Sequence, residues 1–290
     1  MKKSNRRQKK PYNSTGVRPN KSLGQNFLVD EEIISQIADS SGATKESLVI
    51  EIGPGTGALT CSLAEKSGRL ICVELDERMI EPLRVKTYAY GNVEIIHDDI
   101  LQIDLNEIIE SRCKKYSLSD VRIVGNLPYY ITTPIIMKLL EMNTKAASIT
   151  VMMQKEVGER IAALPGSRKS GAITYSVYYY ADVSRIVEVG RECFYPQPKV
   201  DSVVLRLDLI NEPRVEVKDE DLLFRCIKAG FAQRRKTIIN SLSSTGDYNK
   251  EIIKLALEKA GIDPVQRAEK IDLKGFADIA NALSEAHFAR

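Results

Sequence analysis

Histidine and cysteine are scarce in this sequence, which has two histidines and five cysteines among 290 residues. The cysteines are odd in number and form no C-x-x-C pair, which argues against a disulfide framework and against a metal site of the zinc type. We expect Cys61 and Cys72, which have apolar neighbours, to lie in the core. His97 and His287 are far apart in the chain, so a histidine-based nucleophilic triad has little support.

Long apolar runs are also missing. No segment approaches the roughly 20 residues that span a membrane, and the basic amino terminus lacks the apolar stretch of a signal peptide. No G-x-x-x-x-G-K-[ST] motif follows a predicted strand, so a P-loop is not supported. We therefore predict a cytoplasmic protein without a membrane partner, and we expect a monomer because no segment indicates an oligomer interface.

Acidic residues are absent before Asp30, whereas lysine and arginine recur from Lys2 to Lys21. A polar, basic segment of this kind is expected to be disordered in isolation and attracted to polyanions. We assign residues 1–20 to such an arm, and a solubilising tail is the alternative.

Apolar runs alternate with helical periodicities from residue 48 to residue 209, and this alternation predicts an α/β fold. The spacing indicates a parallel sheet with helices on both faces that ends in an antiparallel hairpin. Four helical segments follow Pro213, so we predict one domain at residues 21–210 and a small all-α domain at residues 211–290. The predicted strands are residues 48–52, 70–73, 93–96, 121–124, 149–154, 183–189 and 203–209.

Glycines and carboxylates follow three of the predicted strands. Gly53-Pro-Gly-Thr-Gly57 is a strand-to-helix turn that lets the backbone approach a nucleoside, although its spacing differs from the G-x-G-x-x-G of dinucleotide folds. Glu74 ends the next strand, about twenty residues on, where such folds place a carboxylate on ribose hydroxyls. Asp98 and Asp99 end the third strand, where one of them can accept a hydrogen bond from an adenine amino group; two solvated carboxylates are the alternative.

Asn126-Leu127-Pro128-Tyr129 follows the predicted strand of residues 121–124. Ligands of open α/β sheets bind at the carboxyl ends of strands. Pro128 keeps Leu127 out of the helical region, so the Leu127 carbonyl can face a ligand, and the Asn126 amide oxygen is a second acceptor. Tyr129 offers a flat face for a planar base. This set suits the exocyclic amino group of a nucleobase, and a strand-ending turn with a buried tyrosine is the alternative.

A dense basic cluster, Gln233-Arg-Arg-Lys236, lies at a turn of the predicted helical domain. With Arg168, Lys169 and the amino-terminal arm, it predicts a surface that binds phosphates through Arg234, Arg235 and Lys236. A solvated face is the alternative.

In their order, these motifs resemble one family, the ribosomal RNA adenine N6,N6-dimethyltransferases that act near the 3′ end of small-subunit rRNA. The matching stretches are Lys-Ser-Leu-Gly-Gln-Asn-Phe-Leu (21 to 28), Glu-Ile-Gly-Pro-Gly-Thr-Gly (51 to 57), Glu74, Asp-Asp-Ile (98 to 100), Gly-Asn-Leu-Pro-Tyr (125 to 129), Met-Gln-Lys-Glu-Val (153 to 157), Phe-Tyr-Pro-Gln-Pro-Lys-Val-Asp-Ser (194 to 202) and Ala-Gln-Arg-Arg-Lys-Thr (232 to 237). The resemblance implies a Rossmann-like domain that binds S-adenosylmethionine and a helical domain that helps to grip RNA.

Carried over position by position, the resemblance also implies a set of site residues. The target adenine would be held by Asn126, Leu127 and Tyr129, with Phe194 closing over its other face. The basic residues named above would bind 16S rRNA, within the small ribosomal subunit or its precursor, and a role in subunit biogenesis follows. The implied cofactor contacts are Asn26, Leu28, Gly53, Glu74, Asp99 and Asn126.

The implied reaction is consistent with these residue types. The lone pair of the adenine amino group is delocalised, so the group attacks poorly until its hydrogens are held, here by Asn126 and the Leu127 carbonyl. No strong base is needed, because the proton can leave after the methyl group has been transferred. Alignment can contribute roughly 7–11 kcal/mol, and stacking by Tyr129 and Phe194 about 1–3 kcal/mol per base.

Three other interpretations remain. An adenine methyltransferase of large-subunit rRNA that confers macrolide resistance shares the motif order, but Leu127 and the loop of residues 194–202 favour the small-subunit enzyme. A ribosome-assembly factor could act mainly by binding, yet the intact Asn126 and Glu74 argue against a purely non-catalytic protein. A nicotinamide dehydrogenase conflicts with the glycine spacing.

Overall fold

The computed structural model describes residues 17–20, 23–142 and 144–288, so most of the predicted basic arm lies outside the described residues. The strands are β1 (Phe27–Leu28), β2 (Ser47–Ile52), β3 (Arg69–Glu74), β4 (Val93–His97), β5 (Asp120–Asn126), β6 (Ser148–Gln154), β7 (Ala181–Val189), β8 (Phe194–Tyr195) and β9 (Ser202–Leu209). The helices are α1 (Glu31–Ser40), α2 (Ala58–Lys66), α3 (Glu77–Thr87), α4 (Leu105–Tyr116), α5 (Thr132–Glu141), α6 (Lys155–Ile161), α7 (Ala172–Tyr180), α8 (Glu220–Ala232), α9 (Ile238–Ser243), α10 (Lys250–Lys259) and α11 (Leu273–Phe288).

Seven strands form one sheet in the order β4-β3-β2-β5-β6-β9-β7. The four pairs from β4 to β6 are parallel. The chain runs outward from β2 to β4 and then returns to β5 on the other side of β2. That reversal is a topological switch point, the place where open α/β sheets bind ligands. The predicted α/β fold is confirmed.

Two inner strands of the sheet, β2 and β6, are buried on both faces. All six residues of β2 are buried, and so are six of the seven residues of β6. Parallel strands covered by helices on both sides consist of continuous apolar runs rather than alternating ones. This is why the short apolar runs of the sequence predicted these strands.

Polar caps set the beginnings of several helices. Asp30 caps α1, because its carboxylate accepts hydrogen bonds from the amides of Glu32 and Ile33, both at 3.1 Å. Ile34 and Ile37 are buried on one face of this helix. An aspartate cap followed by apolar residues on one face is a local sequence signal for the start of a helix.

The described residues form two compact units. One takes in the chain up to Lys155 together with Arg185–Arg206, and the other takes in Glu156–Ser184 together with the chain from Leu207 onward. The three boundaries therefore fall inside α6, β7 and β9. In the second unit, Tyr175 and Tyr179 of α7 are buried in one core with the carboxyl-terminal helices. The predicted domain boundary at residue 210 stays a prediction.

The cysteines differ in their burial. Cys72 is fully buried, as expected, but Cys61 is half-buried on α2, so its expected core position is wrong. Within residues 17–288, leaving aside the undescribed Lys21, Ser22 and Asn143, no helix has both the length and the apolar content to cross a membrane. The same described residues contain no group of three or more histidines, cysteines or carboxylates that could hold a metal ion.

Candidate active site

A cleft opens at the carboxyl ends of β2 to β5, at the switch point of the sheet. Its empty volume, including its open mouth, is about 1080 Å³. Residues 23–28, which we call the strap, form one wall. The other walls are formed by Glu51 to Thr56, Val73 to Leu75, Asp98 to Ile100 and Asn126 to Ile131. The polar residues predicted at separate strand ends therefore share one cleft.

Three glycines shape the turn after β2. Gly53, Gly55 and Gly57 have φ values of 68°, 53° and 71°, in the left-handed region that residues with a Cβ rarely adopt. A Cβ on Gly55 would lie 3.1 Å from the Phe27 ring, so the missing side chain also lets the strap approach the turn. The Gly53 amide donates to the Val73 carbonyl at 3.0 Å, which joins the turn to the end of β3.

Glu74, the last residue of β3, orients the glycine turn. Its buried carboxylate accepts hydrogen bonds from the amide of Gly55 at 3.0 Å and from the amide of Asp76 at 2.8 Å. Burial raises the pKa of this carboxyl, and the two backbone hydrogen bonds oppose that rise. Each carboxylate oxygen keeps a further lone pair that can accept a hydroxyl donor.

Asp98 and Asp99 lie just past the end of β4 and line the same cleft. Asp98 is exposed and accepts the Asp99 amide at 2.7 Å, whereas half-buried Asp99 accepts the Leu101 amide at 2.9 Å. Both carboxylates thus turn the backbone at the cleft rim and leave lone pairs for a donor on a ligand.

The strap is fastened over the cleft by side-chain hydrogen bonds. The Gln25 amide donates to the Asp76 carboxylate at 2.8 Å, and its oxygen accepts the Asn20 amide at 2.7 Å. Arg78 grips the same carboxylate with its Nε at 2.8 Å and its Nη2 at 2.5 Å. The Arg78 guanidinium lowers the pKa of Asp76, with a smaller lowering from Gln25. Asp76 is therefore an ionised anchor for the strap.

The strap also pairs with the segment that follows β7. Its strand β1 is antiparallel to β8, with Phe27 opposite Tyr195 and Leu28 opposite Phe194. Phe194 is 5% exposed, packs in the same core as Leu28, and does not line the cleft. Its predicted contact with the target base stays a prediction, and such a contact requires the ring to turn out of the core.

Asn126, Leu127 and Tyr129 are brought together at the end of β5, as the predicted base-binding role requires. The Asn126 amide donates to the Asn26 carbonyl of the strap at 3.3 Å. Within the part of the chain that the structure describes, no group donates to the Asn126 side-chain oxygen or to the Leu127 carbonyl. Both acceptors are therefore free for a ligand. Tyr129 is half-buried, and its hydroxyl lies 2.8 Å from that of Ser202.

The predicted phosphate-binding residues all belong to the second unit. Arg234, Arg235 and Lys236 are exposed, and none of them has an acidic partner among the described residues. Arg168 is exposed as well, whereas Lys169 forms an ion pair with Glu159 at 2.9 Å. Two more exposed cations, Arg225 and Lys228, lie on α8, which leads into the cluster.

Four residues near the cleft had no role assigned from the sequence. Glu51 lines the cleft at 2% exposure, and burial raises its pKa to about 7; its only sequence signal is its place before the glycines. Tyr130 also lines the cleft, and its ring is 3.3 Å from the position a Cβ on Gly24 would take. The contacts of Gln25 and Ser202 join distant segments and leave no local signal.

The cleft fits S-adenosylmethionine on several independent grounds. The glycine turn admits a nucleoside closely, and Glu74 offers acceptors for ribose hydroxyls. Glu51, Asp98 and Asp99 add carboxylates, which suit a cofactor with a cationic sulfonium. Together with the strand order, these features define a Rossmann-like methyltransferase that depends on S-adenosylmethionine.

Comparison of this sequence with known protein families shows to which family of methyltransferases it belongs. The family model described as "Ribosomal RNA adenine dimethylase" matches residues 16–285. This chain belongs to that family. A relative from Geobacillus thermodenitrificans, named ribosomal RNA small subunit methyltransferase A, is 46% identical over 266 residues, which cover 91% of this chain and 90% of the relative. A relative of the same name from Alkaliphilus oremlandii is 42% identical and covers 91% and 92%.

Two solved structures share the fold. A dimethyladenosine transferase from Plasmodium falciparum aligns with a TM-score of 0.71 at 24% identity, covering 87% of this chain and 95% of that one. The 23S rRNA methyltransferase ErmE aligns with a TM-score of 0.66 at 25% identity, covering 89% and 99%.

Proposed function

We propose that this protein transfers methyl groups from S-adenosylmethionine to the N6 amino groups of adjacent adenosines near the 3′ end of 16S rRNA, giving dimethyladenosine. The family match and the relatives named for the small subunit support this proposal. The observation that carries it is the pair of free acceptors on Asn126 and Leu127, next to Tyr129 in the cleft that the glycine turn also lines.

In this proposal, one side of the cleft binds the cofactor. Asn26 and Leu28 of the strap, Gly53, Glu74 and Asp99 contact it, together with Asn126. Glu74 accepts hydrogen bonds from the ribose hydroxyls, and Asp99 accepts one from the amino group of the cofactor's adenine. Bound S-adenosylmethionine supplies a methyl group on an electrophilic sulfonium. The strap then shields this group from water, because it is fastened to Asp76 beside the ribose carboxylate.

The other side of the cleft holds the target base. The side-chain oxygen of Asn126 and the Leu127 carbonyl accept the two N6 hydrogens, which turns the nitrogen lone pair away from the ring. Tyr129 stacks on the base and keeps it in line, and stacking contributes about 1–3 kcal/mol per base. A nucleotide must leave its stack to enter such a pocket. The predicted closure by Phe194 belongs to this proposal as a second stacking contact.

The RNA is held by cations outside the cleft. Arg234, Arg235, Lys236 and Arg168 are exposed without acidic partners among the described residues, which supports a role in binding phosphates. Lys169 takes part if RNA displaces Glu159. We further propose that the protein acts as a cytoplasmic monomer on the small subunit or its precursor, and so contributes to subunit biogenesis.

The test is transfer of labelled methyl from S-adenosylmethionine to purified, under-methylated small subunits, with large subunits assayed in parallel. Nucleoside analysis of the labelled RNA should give dimethyladenosine from the small subunit alone. Label confined to large-subunit RNA would contradict the choice of target. Tight binding to small subunits without any label would contradict the reaction and leave an assembly factor that acts by binding.

A further inference from the structure

The hydroxyl groups of Tyr129 and Ser202 are 2.8 Å apart, within hydrogen-bonding distance. Ser202 is fully buried at the start of β9, and Tyr129 is half-buried in the wall of the cleft. A buried hydroxyl needs a hydrogen-bonding partner, and here the partner is a cleft residue 73 positions earlier in the chain. The contact ties the loop after β5 to the end of the segment that begins at Phe194.

The backbone holds Ser202 in a fixed place. The carbonyl of the preceding residue, Asp201, accepts the Lys155 amide at 3.0 Å, and the Asp201 carboxylate accepts the Arg191 amide at 3.2 Å. The residue that follows, Val203, is 1% exposed in the core. Since the chain is anchored on both sides, the Ser202 hydroxyl can move only by rotation of its own side chain.

The ring of Tyr129 needs such an anchor. It is joined to the backbone through two rotatable bonds, and packing alone restrains it loosely because part of the residue faces the cleft. A hydrogen bond at the far end of the ring holds the hydroxyl oxygen in place and so limits rotation about the Cα–Cβ bond. Because a phenol hydroxyl lies in the plane of its ring, the same bond also favours the ring plane that contains the Ser202 oxygen. Burial raises the pKa of Tyr129, so its hydroxyl stays protonated through the neutral range.

We propose that Ser202 is a positioning residue for methyl transfer, which fixes the Tyr129 ring at the angle on which the target adenine stacks. Ser202 does not line the cleft, so it acts through Tyr129 and not on the base. This inference rests on the proposed function, in which Tyr129 holds that base.

The test compares Ser202→Ala, Tyr129→Phe and the double variant as full-length proteins, with under-methylated small subunits and saturating S-adenosylmethionine. Each single change should slow methyl transfer about tenfold, as expected for loss of one buried hydrogen bond. The double variant should be no slower than either single variant, because both changes remove the same contact. Losses that add up in the double variant would overturn the proposal, as would a wild-type rate for Ser202→Ala.

A second readout separates positioning from general damage to the fold. Affinity for S-adenosylhomocysteine, measured by calorimetry, should match wild type in both single variants. Ser148→Ala is the matched control, because Ser148 is also a buried first residue of a strand, but its hydroxyl contacts Arg122 at 3.2 Å. Its transfer rate should be that of wild type. If Ser202→Ala does not fold, Tyr129→Phe decides alone, and an unchanged rate overturns the proposal.

Tyr129→Ala separates the role of Ser202 from the role of Tyr129 in the proposed function. Wild-type transfer by Tyr129→Ala would remove Tyr129 from the proposed function, and this inference with it. Loss of transfer in Tyr129→Ala, with unchanged rates in Tyr129→Phe and Ser202→Ala, would overturn this inference alone.

Discussion

The side-chain amide of Gln25 donates a hydrogen bond to the carboxylate of Asp76 across 2.8 Å, and this contact connects the strap to the end of β3, where Glu74 lies. The amide of Asp76 in turn donates to Glu74, whose other oxygen accepts the Gly55 amide. Strap, carboxylate and glycine turn thus form one hydrogen-bonded chain. A change at Gln25 should therefore alter the affinity for the cofactor.

We expect Gln25→Ala to raise the dissociation constant of S-adenosylhomocysteine about tenfold, near the lower end of what a hydrogen bond to a charged group contributes. Calorimetry measures it directly. Gln36→Ala is the matched control, because Gln36 donates to the carboxylate of Glu32 on α1, outside the cleft. Equal affinities for the two variants would mean that the strap is held without Gln25.

Much of the fold was predictable because the signals are local. Buried parallel strands appear as short apolar runs, and Asp30 marks a helix start through its own cap. That the polar residues at the strand ends share one cleft was predictable for the same reason, since parallel strands bring their ends to one edge. Cys61 shows the limit of such reasoning, because apolar neighbours in sequence do not ensure burial on a helix.

The contacts that cross the chain were not predictable. Gln25 and Asp76 are 51 residues apart, and no periodicity in either segment indicates the other. The same holds for the pairing of Leu28 with Phe194, which places the Phe194 ring in the core. Likewise, only the folded chain shows that Tyr175 of α7 packs with the carboxyl-terminal helices.

Glu74→Ala should weaken cofactor binding by roughly 100-fold, because hydrogen bonds between ribose hydroxyls and a carboxylate are charge-assisted. Calorimetry with S-adenosylhomocysteine gives the affinity. Glu77→Ala is the control, since this glutamate is exposed in the first turn of α3 and does not line the cleft. Wild-type affinity in Glu74→Ala would count against the ribose role.

Asn126→Ala should lower methyl transfer by about 100-fold or more, comparable to removing one preorganised hydrogen-bonding group from an active site. Binding of S-adenosylhomocysteine should remain measurable, because the other cofactor residues are untouched. Asn126→Asp keeps an acceptor oxygen but loses the donor to Asn26, so it should retain more transfer than Asn126→Ala. Unchanged turnover in Asn126→Ala would remove the residue from the reaction.

Glu51 should make stability depend on pH. Burial raises its pKa from 4.5 to about 7, so the folded state binds this proton more tightly than the unfolded state does. Its contribution to stability is therefore largest at low pH and is lost as pH rises from 4.5 to about 7. Glutamine does not titrate, so Glu51→Gln should not lose stability over this pH range.

The melting temperature Tm of Glu51→Gln minus that of wild type should accordingly increase between about pH 5 and about pH 8. The nearby Glu74, Cys72 and Lys86 are present in both proteins, so their contributions largely cancel in the difference. Parallel pH profiles of Tm would show that Glu51 titrates near its ordinary value.

Replacing Arg234 and Arg235 together by alanine should weaken RNA binding and make it less sensitive to salt. If each guanidinium neutralises one phosphate, the slope of log affinity against log salt concentration should fall in magnitude by roughly 1.4–1.8. Filter binding of small-subunit RNA over a salt series gives this slope.

The control for this loss of charge is the double change of Lys250 and Lys254 to alanine on α10, which removes the same two positive charges elsewhere in the second unit. If only the overall positive charge of the protein mattered, the two double variants would have the same slope. Direct phosphate contacts predict a smaller slope for the arginine variant alone, because counterions are released only where cations meet the RNA. An unchanged slope in the arginine variant would show that Arg234 and Arg235 bind no phosphates and belong to a solvated surface.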